Sequence, residues 1–150
     1  MTTLEEIKKA VSEELKKRYP DYEVYGADTV DGYERPSFFV YVTQTFSEST
    51  KNAMHKNVEV EIDFVQKVTN EVEAMKFFET MERVFGQKLK TENRHLTTSN
   101  LSTGFDGENK NLPYFIFEIE FWSAIEKEKD EAPMMGEVNI EQEVKRWDYR

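Results

Sequence analysis

The chain has 150 residues, thirty acidic against twenty basic, with a formal charge of −10. That length can bury a core without covalent staples, and the lack of cysteine excludes disulfides and thiolate metal sites. The lysines of EEIKKAVSEELKKR are interleaved with glutamates, so no basic stripe exists for sequence-specific readout of nucleic acid.

The opening MTTLEEIKKAV is acidic and amphipathic and lacks the basic and apolar regions of a signal peptide. Thr3 with Glu6 fits a capping box, and Leu4, Ile7, Val11 and Leu15 form one apolar stripe. The spacing predicts a helix over about 3–18, ended by Pro20, with Lys16, Lys17 and Arg18 in the last turn, where positive charge suits the dipole. YEVYG (22–26) reads as a short strand and ADTVDGYERP as a polar connection. From Ser37 to Phe46 the residues alternate, with Phe38, Val40, Val42 and Phe46 on one face and Phe39 and Tyr41 on the other. SESTKNA (47–53) reads as a turn-rich loop. In 54–67, Val58, Val60, Ile62 and Phe64 alternate strictly with Glu59, Glu61 and Asp63, a strand with one face inward and one outward.

Asn70 and Glu73 cap a second helix over 70–86, with Val72, Met75, Phe78, Met81, Glu82 and Phe85 near one side and Gly86 as the stop. Two further strands are expected over about 88–105, with a break, and 113–125, joined by FDGENKNLP. The fold class is therefore α+β: a mixed or antiparallel sheet of about five strands, two helices on one face, in the order α-β-β-β-α-β-β. Residues 1–125 form the expected single domain. EKEKDEAP (126–133) begins a charged linker and C-terminal tail, 126–150, that cannot bury itself. The tail is expected either to stay disordered, the ordinary fate of such a segment, or to dock as an intersubunit arm through Met134, Met135, Val138, Ile140 and Trp147, since only burial against a partner offsets an ordering cost of about 1–2 kcal/mol per residue. SFFVYV and YFIFEIEFW are too short or too interrupted to cross a bilayer, so the chain reads as soluble and intracellular, with no membrane partner.

No catalytic constellation stands out. His55 and His95 do not share a helical i, i+4 face, no G-x-S-x-G elbow is present, and the six glycines are dispersed rather than clustered for phosphate binding. Gly104 and Gly107 in TGFDGE read as hairpin chemistry. No metal or cofactor is expected, and the chain does not read as an enzyme. Glu59, Glu61 and Asp63 share one strand face, and Glu118 with Glu120 share another. If those strands are neighbours, five carboxylates make one acidic patch. It is either the wet side of a sheet, a cation or acid–base site, or a ring lumen that keeps DNA from sticking.

RYPDYEVYGADTVDGYERPSFFVYV, NVEVEIDFV with NEVEAMKFFETMERVFG, and STGFDGENKNLPYFIFEIEFW, together with the first helix, resemble the small tail terminator proteins of tailed phages and prophages of Gram-positive bacteria. The likeness lies in tyrosine-proline after helix one, VYG, R-P-S-F-F leading into the second strand, and an aspartate turn before an aromatic final strand. The resemblance implies a structural virion protein at the head-proximal end of the tail, assembled in the host cytoplasm. Such a protein works as a ring of its own copies, typically a hexamer. It caps the tail tube protein, ends polymerisation and offers a surface to a head–tail connector protein, with DNA passing without sequence-specific binding. The alternatives are another head–tail joining or tail-completion protein, or a small non-catalytic binding module.

Overall fold

The computed structural model describes residues 2–125; the expected linker and tail, including Met134, Met135, Val138 and Ile140, lie outside the described residues. Helix α1 (Leu4–Arg18) starts at Thr3, whose hydroxyl accepts from Glu6 N while the Glu6 carboxylate accepts from Thr3 N, so the capping box forms in full. It buries Ile7, Ala10, Val11 and Leu15. Strand β1 (Glu23–Tyr25) is followed by β2 (Ser37–Ser49) and β3 (Ala53–Val65). Helix α2 (Glu71–Phe85) follows, capped by the Asn70 side chain accepting from Glu73 N, and then β4 (Lys88–Lys90), β5 (His95–Asp106) and β6 (Leu112–Ala124). The broken strand expected over 88–105 is thus two strands, and the sheet has six, in the order β1-β2-β3-β6-β5-β4. Among the described residues only the β1–β2 pair is parallel.

Both helices pack on one face of this mixed sheet, as the α+β reading expects. Phe38 and Val40 of β2, Val58 to Phe64 in alternation on β3, and Phe115, Phe117, Ile119 and Phe121 of β6 join Phe77, Met81 and Phe85 of α2 and the α1 stripe in one core. Phe85 stacks on Phe117 at 5.3 Å, and Phe38, Phe64 and Phe77 form a ring cluster. The α2 stripe is rotated from the expected one: Ala74 and Phe77 are buried, while Val72 and Met75 are more than half exposed. The small Ala74 lets the helix approach the sheet, which the larger apolar residues beside it would prevent.

Two local departures alter the faces. The β2–β3 register shifts between Gln44 and Phe46, so Phe46 pairs with Asn57 instead of continuing the Phe38–Val40–Val42 row. One extra residue in a strand inverts everything beyond it. Phe46 therefore lies on the face opposite to the helices. The β2–β3 connection is also shorter than expected, since Thr50 closes a tight turn in which its N and Oγ1 both donate to Ala53 O at 2.7 and 3.0 Å.

Candidate functional site

The face of the sheet away from the helices is where the expected acidic residues meet. Antiparallel pairing sets Glu59 opposite Glu118, Asn57 opposite Glu120, Glu61 opposite Ile116 and Asp63 opposite Tyr114. All five carboxylates, Glu59, Glu61, Asp63, Glu118 and Glu120, therefore share this face, but they are not equivalent. Like charges directly opposite repel. At Glu118 the repulsion is answered by amides: Asn57 Nδ2 and Asn100 Nδ2 both donate to Oε1, at 3.3 and 3.1 Å. Asn100 reaches this position from a left-handed backbone, φ 52°, inside a β5 bulge between Ser99 and Ser102.

Along the strands the face changes character. At one end His55 stacks on Trp122, ring centroids 4.6 Å apart, with Phe46 against its edge at 5.6 Å, and His55 Nε2 lies 3.2 Å from Glu120 Oε2. His55 is therefore not a freely solvated histidine: the bulge and the β3–β6 register build an aromatic corner around it. The middle carries Glu59, Glu61 and Glu118.

The other end is a cavity of about 360 Å³. Its walls come from the connection after β1 (Val30, Tyr33, Arg35), from Phe39 and Tyr41 of β2, from Asp63 and Val65 of β3, from Gln66, and from the β5–β6 turn at Gly107 and Asn111. The walls are held by the site's own contacts: Tyr33 packs edge-on to Phe39 at 5.1 Å, and Arg35 donates to Gln66 O and to Tyr33 Oη, both at 3.3 Å. The Gln66 side chain in turn donates to Asn70 O and accepts from Asn70 N, tying the cavity to the start of α2. Gly107, at φ +90°, makes the turn that an L side chain would strain.

Asp63 is only 8% exposed, and its Oδ1 has no hydrogen-bond partner among the described residues. Burial pushes its carboxyl up from the ordinary 3.8 to about 8, helped by a hydrogen bond to Glu61 and by the negative charges of Glu61 and Asp106. Tyr41 beside it is also raised, first by burial and then by Asp63 and Glu61. The outward residues of β3 are thus not uniformly the wet side of a sheet: Asp63 lies between Phe39 and Tyr114 on the flanking strands. The sequence reading places Asp63 on the right face but misses Tyr33, Arg35 and Gln66, because their approach depends on how a polar connection folds back. No group of three or more acidic, histidine or cysteine side chains among the described residues is arranged to hold a metal ion.

Among the described residues the sheet has one face covered by helices and one open face that is acidic and partly aromatic. The family model described as phage tail terminator protein matches residues 6–132, and the chain belongs to that family. Membership makes it a structural phage tail protein, a virion component that meets other tail and head parts, and speaks for a non-enzymatic role. No curated protein matches. Fourteen chains of solved structures are similar. One of them, whose name states no function, superposes with a TM-score of 0.50 at 11% identity, covering 83% of this chain and 94% of the other, a likeness of fold alone. No described helix is long and apolar enough to cross a membrane.

Proposed function

We propose that the chain caps the phage tail tube as a closed hexameric ring of its own copies, ends tube polymerisation and offers the surface on which the head is joined. The family match supports a tail terminator role, and the observation that carries the geometric part is the uncovered acidic face. Six strands bury one side under two helices and leave Glu59, Glu118 and Glu120 facing away from them. Facing a lumen, repeated negative charge would let DNA pass without adhering. Ring closure uses head-to-tail contacts whose rotation closes. The partners in this reading are the tail tube protein, a head–tail connector protein and passing DNA, with assembly in the host cytoplasm. Residues 126–150 would serve as an arm, with Met134, Met135, Val138 and Ile140 as its apolar contacts on a neighbouring subunit.

The test adds the purified full chain to polymerising tube subunits. Tubes of limited length bearing a ring at one end, seen by negative-stain electron microscopy, are the expected result. Tubes that grow unchanged, with no particle bound at either end, would overturn the reading.

A further inference from the structure

We infer that the cavity at Asp63 receives a lysine or arginine side chain from a second copy of this chain, in a head-to-tail contact. The inference rests on the self-assembling reading above and specifies where one copy grips the next. Three observations carry it. First, Asp63 lines the cavity, is more than nine-tenths buried, and, hydrogen-bonded to Glu61, still leaves Oδ1 without a partner among the described residues, with no ion pair to it there. An unpaired buried acceptor is costly, and a cation with hydrogen-bond donors relieves that cost better than a neutral group. Second, Phe39 and Tyr41 wall the space, and aromatic rings suit the flat guanidinium or the methylene stem of a basic side chain. Third, Arg35, the cation already at the rim, is turned toward Gln66 O and Tyr33 Oη.

The matching cations lie on the far side of the same molecule. Arg18 at the end of α1, Arg83 at the end of α2, and Lys88 and Lys90 of β4 line one depression, all four exposed and none in an ion pair among the described residues; they outnumber Glu13 and Glu14 of α1 in the same depression, where Glu14 pairs with Lys17. Lys88 pairs with Thr97 near the start of β5, whereas Gly107 at the cavity follows the end of that strand. At about 3.3 Å per residue the two sites are ~30 Å apart along β5, so one copy cannot bring them together. A second copy can. In a chain of net charge −10, pairing opposite patches offsets the repulsion between copies, and two unlike patches generate a heterologous contact.

The experiment is sedimentation velocity of the full chain over a wide concentration range, comparing wild type, D63N, D63K, the triple reversal R83E/K88E/K90E, and D63K combined with that reversal. Circular dichroism checks that each is folded. Asp63→Asn keeps the side-chain shape, and the three basic positions are exposed, so loss of fold does not obscure the result. We expect D63N and the triple reversal each to weaken self-association by at least about tenfold, and the combined variant to recover most of it. Association unchanged in D63N and D63K overturns the contact while leaving the ring reading intact. Weakening by D63K that the triple reversal neither reproduces nor relieves overturns the second-copy occupant in favour of another cation. A wild-type chain that stays monomeric throughout also overturns this contact. Binding to isolated tube ends, measured in parallel, then decides the functional reading separately.

Discussion

Replacing Asp63 by asparagine should make the folded chain less sensitive to alkali, and the size of the effect follows from the cavity. The folded chain holds the Asp63 proton up to about pH 8, whereas the unfolded chain releases it near 3.8. Between those values the folded state binds more protons, so stability falls as pH rises from about 4 and stops falling above about 8. Each pKa step is worth about 1.4 kcal/mol, which sets a ceiling of about 6 kcal/mol for the whole window. The cavity opens to water, which screens the burial, so roughly 2 kcal/mol is the expected loss. Asparagine does not titrate and should abolish this component, leaving the remaining pH dependence unchanged. Urea unfolding of both proteins at about pH 5 and about pH 9 measures it, at protein concentrations low enough to keep the chain monomeric. Wild type should lose roughly 2 kcal/mol more than Asp63→Asn between the two conditions. Equal pH dependence in the two proteins would refute the argument that Asp63 is buried with no cation beside it.

Other expectations are simpler to state. Phe117→Ala removes a ring stacked on Phe85 in the centre of the core and should cost about 3–5 kcal/mol, read as a lower urea midpoint at unchanged slope. Thr3→Ala deletes half of the α1 capping box and should cost about 1 kcal/mol by the same measurement. Trp122→Ala removes the ring on which His55 stacks; a loss of about 1 kcal/mol is expected, together with a shift in the His55 ring proton resonances. Deleting residues 126–150 should leave the thermal unfolding of the domain in place while weakening assembly, and a truncated chain that assembles as well as the full one would sink the arm proposal.

Much of this architecture was legible in the residues. The period-two strand from Val58 to Phe64 and the capping pairs Thr3–Glu6 and Asn70–Glu73 are local signals, and local signals survive folding. The acidic face was legible as two half-sets, Glu59–Glu61–Asp63 and Glu118–Glu120; that they meet depends on β3 pairing with β6 across the intervening helix and two strands, which the alternation alone does not dictate. Strict alternation puts Phe46 on the wrong face, because a bulge is a single-residue event that leaves composition unchanged. In α2, Ala74 contributes little to an apolar count yet sits at full burial, so counting large side chains rotates the stripe toward Val72 and Met75. The Asp63 cavity was illegible for a different reason. Tyr33 and Arg35 belong to a connection without periodicity, and only tertiary contact carries them to β3.

The bulge at Thr45 has a consequence beyond the position of one phenylalanine. By delivering Phe46 to His55 and Trp122, it builds an aromatic corner at one end of the open face, while the opposite end is a hollow that encloses the Asp63 carboxyl. A surface whose two ends differ in chemistry has a sense of up and down: turned end for end, it offers a neighbour the wrong partner at both places. Polarity of that kind lets identical subunits stack or adjoin in one orientation only, and it is written into this chain by a single inserted residue.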